Sequence, residues 1–322
     1  MRYRNINGTE LKPSAICMGG GPFCVEDGRE HSFKLLDTFC ELGGNFVDTA
    51  NIYGKWLPSA TNISELTIGQ WMSERGNRQK LIIGTKGAHP HLATMNISRI
   101  SQKEVEADLV ESLKALQTDY VDMYWLHRDD ETIPVAYIID YLNKFVKEGK
   151  IRYFGCSNWK IHRIKEANDY AAKNKIMGFV ANQPMWSFAV PNEAGIIDKT
   201  TVTMGEEGLK FHKQTKIAAI PFSSQANGFY NKLDNQQNKN LDEGIKRVYY
   251  NKENLDRFAR AKKLTAELSK SLTEVTLGCL ISQSFTTIPI VGCHTVEQLQ
   301  DTMKAGDISF SEDIVSYLES GI

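Results

Sequence analysis

Apolar residues in this chain follow two alternating patterns. Short runs without strict alternation recur at 14–17, 45–48, 81–84, 121–126, 152–155, 178–181, 217–220 and 288–291. Each has the length of a β-strand. A run that is apolar on consecutive positions suits a parallel strand covered on both faces. Segments with helical spacing lie between them. Within 104–116, Val105, Leu109, Leu113 and Leu116 are spaced by four, four and three residues, which puts them on one helical face. Segments 135–146, 160–172, 255–268 and 275–284 predict further helices.

Strands alternating with helices in this number predict an α/β fold, a (β/α)8 TIM barrel, with 1–322 as a single domain. A doubly wound sheet is the competing architecture and calls for a GxGxxG turn after its first strand. Gly19-Gly20-Gly21 follows that strand, but Pro22 interrupts and no further glycine has the required spacing. Asn7-Gly8 within 3–11 predicts an N-terminal β-hairpin. Segments 55–62, 191–203 and 231–252 lengthen the loops after strands two, six and seven. In a barrel such loops crown the C-terminal face, where active sites are built.

Polar residues end several of these strands. Asp48 ends the second, Lys86 the third, His127 the fourth, Ser157 and Asn158 the fifth, and Gln183 the sixth. A carboxylate at the end of an apolar strand is costly to bury unless something pairs with it. Lys86, one strand along, is the natural partner for Asp48. Tyr53 follows Asp48 by five residues. A neighbouring ammonium stabilises a phenolate and lowers the tyrosine pKa from its reference value of about 10. A tyrosine tuned in this way gives a proton to a carbonyl oxygen as hydride reaches the carbon, or takes it back in reverse. His127 is placed to orient that carbonyl. No GxSxG motif suggests acyl transfer, and His89-Pro90-His91 reads as loop rather than as a metal site, so no metal is expected.

Composition narrows the function classes. The formal net charge of -1 and the lack of a basic run give no electrostatic case for nucleic acid or an anionic membrane. No stretch approaches the roughly 18 consecutive apolar residues of a membrane span, and MRYRNINGTE lacks the apolar core of a signal peptide. Six scattered cysteines without a CxxC pair suit a reducing, cytoplasmic setting.

The motifs "NFVDTANIYG", "IIGTKG", "DYVDMYWLHRDD" and "GKIRYFGCSNW" together resemble those of the aldo-keto reductases, NAD(P)H-dependent enzymes on a (β/α)8 barrel. The resemblance runs from Tyr3 to about Met303. It implies Tyr53 as general acid, Lys86 and Asp48 as its tuning pair and His127 as the carbonyl-orienting group. It implies that Ser157, Asn158 and Gln183 hold the nicotinamide carboxamide, a task that suits groups able to donate and accept. "IPFSSQANGFY" resembles the segment whose aromatic, here Phe222, stacks on the nicotinamide. Ser223, Ser224, Gln225 and Asn227 then enter the pyrophosphate loop, with Gly20 on the same cofactor. "IPIVGCHTVEQLQD" resembles the segment around the adenosine phosphate end, which implicates Gly292, Cys293, His294, Thr295, Gln298, Asp301 and Thr302.

Three departures bear on the cofactor. Asn227 stands where the family commonly has a basic residue, Thr302 where an Asn is frequent, and His294 and Gln298 where an Arg or Lys usually pairs the 2′-phosphate. Guanidinium–phosphate pairing is the strong device for NADP selection. The expectation is NADP, with NAD also accepted and a preference weaker than usual. For the substrate, Trp56, Trp186, Phe188, Phe23 and Tyr230 are the candidate aromatic walls. His89, Arg128, Asn51, Asp129 and Asn182 are the polar companions, and they lean the reading toward a carbonyl on a sugar or polyol. Two other classes compete: a cofactor-binding regulatory subunit, as in channel-associated β subunits of this fold, and a Schiff-base lyase working through Lys86. Nothing in the chain specifies an oligomeric state.

Overall fold

The computed structural model describes residues 1–24, 28–234 and 241–322. Eight parallel strands form the centre: β1 Cys17–Gly19, β2 Phe46–Asp48, β3 Ile82–Gly87, β4 Val121–Leu126, β5 Ile151–Ser157, β6 Ala181–Gln183, β7 Ala218–Ala219 and β8 Ile290–Val291. Each falls on or beside a predicted apolar run. β1 and β6 form toward the C-terminal ends of theirs, where Met18 pairs with Val47 and Cys156 with Asn182. Their spatial order is β7-β6-β5-β4-β3-β2-β1-β8. A parallel bridge between Ala219 and Thr287 joins β7 to the segment before β8, with the Ala219 amide donating to Thr286 at 2.9 Å and that of Ile288 to Ala219 at 2.9 Å. The sheet therefore closes on itself as a (β/α)8 barrel.

Side-chain alternation along a strand sorts residues between the interior and the helix layer. On β4, Met123 and Trp125 join an inner cluster with Phe46, Ile82 and Ile288, while Tyr124 and Leu126 join the outer cluster under the helices. Trp125 is large enough to dictate its neighbour. A Cβ at Gly155 would stand 2.4 Å from its ring, so β5 needs a glycine there.

The helices α1 Arg29–Glu41, α2 Ile63–Arg75, α3 Gln102–Ala115, α4 Val135–Lys147, α5 Ile161–Asn174 and α6 Glu206–Thr215 each follow a strand. After β7 come α7 Phe229–Asp234, α8 Glu243–Tyr249, α9 Lys252–Leu268 and α10 Leu272–Ile281; α11 Val296–Lys304 and α12 Glu312–Ser320 follow β8. Part of the predicted 231–252 insertion, residues 235–240, lies outside the described residues. A second apolar cluster, with Phe188, Phe229, Tyr230, Tyr249 and Val275, packs the long connections after β6 and β7 against α9, α10 and α12.

The N-terminal hairpin is reduced to one antiparallel bridge, and its register differs from the expectation. Tyr3 pairs with Ser14 rather than with a partner inside 3–11, supported by Arg4 N–H to Pro13 at 2.8 Å and Ala15 N–H to Arg2 at 2.9 Å. The physical reason is packing. Ile6 and Leu11 insert into the inner barrel cluster, which draws the intervening turn under the barrel floor.

Candidate active site

Strand register brings the predicted polar residues to one mouth. Asp48 lies across from Gly84, Lys86 from Trp125, Leu126 from Cys156, and Ser157 from Gln183. Asp48 and Lys86 form a fully buried ion pair. The Lys86 ammonium also donates to the Thr49 carbonyl at 2.7 Å, and the Gln183 amide donates to the other Asp48 oxygen at 3.2 Å. Burial opposes charge on Lys86, but the adjacent carboxylate outweighs it and holds the ammonium above its usual range. Burial also pushes Asp48 upward, against the pull of Lys86 and Gln183.

Tyr53 sits half-buried with its ring centroid 5.0 Å from Lys86 Nζ. Its neighbours form a row of edge-on rings: Trp56 at 6.0 Å and His127 at 6.2 Å from Tyr53, then His89 at 4.8 Å from His127. Burial, reinforced by Arg128, His89 and Lys86, holds His127 well below the usual imidazole range, so the ring is neutral at neutral pH. Its Nδ1 is buried without a partner.

The loop carrying Tyr53 is pinned from behind. Asn51 donates to Glu111 at 3.0 Å and accepts from Lys55 at 2.8 Å, and Lys55 pairs with Glu111 at 2.7 Å. Thr49 and Ser64 share a hydrogen bond at 2.8 Å, and Ser64 donates to the Gly20 carbonyl at 2.9 Å. Gly54 takes a φ of +102° while a Cβ there would stand 2.3 Å from Ile63, so glycine is required on both counts. Glu65 is fully buried in the first turn of α2 and accepts from Thr85, from Asn62 at 2.6 Å and from Ser112. Burial raises its carboxyl to about 7 against these bonds. Sequence reasoning missed Glu65 and Glu111. The "SE" opening α2 was the available signal, but a carboxylate beside a hydroxyl reads first as a surface helix start.

A cleft of about 710 Å³ runs from Tyr53 and Asp48 along the ends of β7 and β8. Gly20, Phe222, Ser223, Ser224, Gln225, Asn227, Gly292, Cys293, His294, Gln298, Asp301 and Thr302 all line it. Its floor has two features that fit phosphates. Ser223, Ala226 and Asn227 have φ of 53°, 50° and 54°, followed by Gly228 at 76°, a left-handed backbone of the kind found where N–H groups are turned toward a ligand. His294 lies just before α11 and Gln298 in its first turn, where the helix dipole favours negative charge, and Asp301 and Thr302 line the cleft from farther along the same helix. Lys232, on α7, is the only lysine or arginine among the described residues lining the cleft. It was not anticipated, because no helix was predicted there.

Ser157, Asn158 and Gln183 are buried at the strand ends, outside the lining of that cleft. Ser157 donates to the Gln183 carbonyl at 2.8 Å; Asn158 donates to the His127 carbonyl at 3.2 Å and accepts from the Val202 amide at 3.1 Å. Gln183 Oε1 is buried with no partner, an open acceptor suited to a carboxamide N–H. The residues present therefore fit a nicotinamide dinucleotide.

The substrate side differs from the expectation. Trp186 packs in the outer core, stacked on Phe285 at 6.1 Å. Phe23 is buried in the same cluster, and Phe188 and Tyr230 in the second. Apolar burial against the long loops wins over exposure at the rim. Arg128 pairs with Asp198 at 2.7 Å, donates to Thr200 at 2.7 Å and to the His127 carbonyl at 2.7 Å, so it fastens the β6 loop. Trp56 is exposed on Tyr53, and His89 lies beside His127.

A closed parallel barrel with a buried Asp–Lys pair, a tyrosine and a neutral histidine at its C-terminal mouth, beside a dinucleotide-sized cleft, defines an oxidoreductase class. Residues 15–322 match the model of the aldo/keto reductase family, and the chain belongs to that family. It is 28% identical to an uncharacterized oxidoreductase, YrpG, of Bacillus subtilis, over 99% of this chain and 95% of that one. It is 28% identical to norsolorinic acid reductase B of Dothistroma septosporum, over 99% and 81%, and 28% identical to an aryl-alcohol dehydrogenase [NADP(+)] of Phanerodontia chrysosporium, over 91% and 76%. The fold matches that of a thermostable aldo-keto reductase solved with the inhibitor epalrestat, with a TM-score of 0.74, 20% identity and 99% of both chains covered.

Proposed function

We propose that the protein reduces the carbonyl group of a small molecule, or oxidises the matching alcohol, with NADP as coenzyme and NAD accepted in its place. The observation carrying this reading is the buried Asp48–Lys86 pair 5.0 Å from the ring of Tyr53. A bound nicotinamide supplies or receives the hydride. Tyr53 gives its hydroxyl proton to the carbonyl oxygen, and the Lys86 ammonium stabilises the phenolate left behind. Asp48 and the Thr49 carbonyl keep that ammonium charged and in place. Neutral His127 donates one N–H to the same oxygen and orients it. In the reverse direction the Tyr53 phenolate takes the alcohol proton.

Ser157, Asn158 and Gln183 hold the carboxamide, with the open Gln183 Oε1 as the acceptor. Phe222, half-buried in the cleft, offers a ring face. The 223–228 loop and the start of α11 receive phosphates, with Lys232 as the one lysine or arginine among the described residues lining the cleft. No arginine or lysine stands at His294 or Gln298, which supports a weak choice between NADP and NAD. The NADP-linked aryl-alcohol dehydrogenase among the relatives supports alcohol–carbonyl chemistry. The chain works as one barrel domain in a reducing cytoplasm, consistent with six free cysteines. Among the described residues no helix is long and apolar enough to cross a membrane.

The test is a panel of sugars, aryl aldehydes and diketones assayed with both coenzymes, beside coenzyme titrations followed by protein fluorescence. Turnover of at least one carbonyl class is expected. Tight coenzyme binding with no turnover of any member would contradict the reading. Strong NADP selectivity in the titrations would overturn its coenzyme part.

A further inference from the structure

We propose that Asp198, on the long loop after β6, is a positioning residue for the reaction: it acts through Arg128 to hold His127 where it orients the substrate carbonyl. This rests on the carbonyl-reduction reading above. His127 needs such a hold. Its Nδ1 is buried without a partner among the described residues, so no hydrogen bond at that nitrogen fixes the ring. The ring takes its place from its own backbone and from edge contacts with His89 and Tyr53. That backbone is held on both sides. The His127 amide donates to the Gly87 carbonyl at 2.9 Å. The His127 carbonyl accepts from Arg128 Nη1 at 2.7 Å and from Asn158 Nδ2 at 3.2 Å.

Both of these donors are tied to one short stretch, residues 198–202. Arg128 pairs through Nη2 with Asp198 at 2.7 Å and donates through Nε to the Thr200 hydroxyl at 2.7 Å. Asn158 accepts from the Val202 amide at 3.1 Å. Asp198 organises the stretch, because its other oxygen accepts from the Thr200 amide at 2.9 Å and from the Thr200 hydroxyl. A guanidinium is a rigid planar fork, so its bonds to Asp198, Thr200 and the His127 carbonyl carry the position of the loop to the His127 peptide. The loop is anchored at its other end to α8. The Asn192 amide donates to the Val248 carbonyl at 2.6 Å, and Arg247 Nε donates to the Gly195 carbonyl at 2.9 Å. The added length after β6 thus bridges α8 to the end of β4. Among the described residues that line the coenzyme cleft, none belongs to 198–202. Loosening this stretch therefore misplaces His127 without touching the coenzyme, and a misplacement on the order of 1 Å is felt in turnover.

The experiment measures kcat and KM for a carbonyl compound that the protein reduces, beside the dissociation constant for NADPH. The variants are Asp198→Ala, Asp198→Asn, Arg128→Ala and the double variant of Asp198→Ala with Arg128→Ala. Asp198→Ala should lower kcat by about 10- to 100-fold, with KM changed by no more than about threefold and NADPH binding by no more than about twofold. Asp198→Asn keeps an acceptor for the Thr200 amide but not the ion pair, and should recover part of that loss. The double variant should be no slower than Arg128→Ala alone, because Asp198 acts through the arginine. Thr200→Val, an exposed change that removes one bond to the same guanidinium, should give a smaller fall in kcat and serves where Asp198→Ala folds poorly. Imidazole NMR tests the positioning without turnover. The His127 signals should move in Asp198→Ala while those of His31 and His294 stay in place, whether or not the wild-type protein reduces any carbonyl offered to it. Wild-type kcat in Asp198→Ala, a change confined to KM, losses that add in the double variant, or unmoved His127 signals would each overturn the proposal.

Discussion

Lys86 is the residue on which the site depends. Its ammonium is buried, held by the Asp48 carboxylate and the Thr49 carbonyl. Removing one partner of a buried pair costs about 3–5 kcal/mol, because the other charge is left uncompensated. Lys86→Ala should therefore lower the unfolding free energy by about that amount in urea titrations, as well as abolish turnover. Asp48→Asn should lose less stability, since an amide keeps the shape and part of the hydrogen bonding. His127 offers a check by spectroscopy. With its imidazole held well below the usual range by burial, it should stay neutral at about pH 6, where an exposed histidine is mostly charged. Imidazole NMR shifts report this directly. A protonated His127 at that pH would contradict the role of neutral donor.

The elements that present these residues are held by polar links the apolar pattern does not reveal. Glu65 ties α2 to β3 through Thr85, one residue from Lys86, and to α3 through Ser112. Its folded carboxyl titrates at about 7 against 4.5 for an ordinary glutamate. Between these values the folded protein holds a proton that the unfolded chain has released, so folding stability falls as pH rises through this window. The fall amounts to roughly 3 kcal/mol at its limit. Glu65→Gln should flatten the dependence of the urea midpoint on pH between about 4.5 and about 7, because it cannot ionise. An unchanged slope would show that Glu65 does not carry it. Strand positions were legible because most positions of each run are buried, Arg152 on β5 being an exposed exception. The N-terminal pairing was not, because the register of a short segment is set by where Ile6 and Leu11 insert.

At the scale of the whole molecule, the chemistry was more legible than its surroundings. Asp48, Lys86, His127 and Gln183 stand out because polar residues ending apolar strands need partners, and barrel closure brings those strand ends together. The aromatic residues of the substrate wall could not be sorted in the same way. Trp186, Phe188 and Tyr230 look like rim residues along the chain, yet they pack against Phe285 and against helices far away in sequence. Lys232 was hidden for a similar reason, since its place in the cleft depends on how the insertion after β7 folds. It also sets an expectation for the coenzyme. Lys232→Ala should weaken NADPH and NADH alike in fluorescence titrations, by roughly five- to tenfold each, if this lysine serves a phosphate both share. A loss confined to NADPH would assign it to the 2′-phosphate instead.

The central claim is that Tyr53 delivers the proton within a site otherwise complete for hydride transfer. The most direct measurement pairs turnover with coenzyme binding in Tyr53→Phe, which removes one oxygen and leaves the ring beside Lys86. The predicted result is a fall in kcat of about 10²–10⁴-fold with the dissociation constant for NADPH unchanged within about twofold. Turnover retained at the wild-type rate, with coenzyme bound as before, would contradict the account.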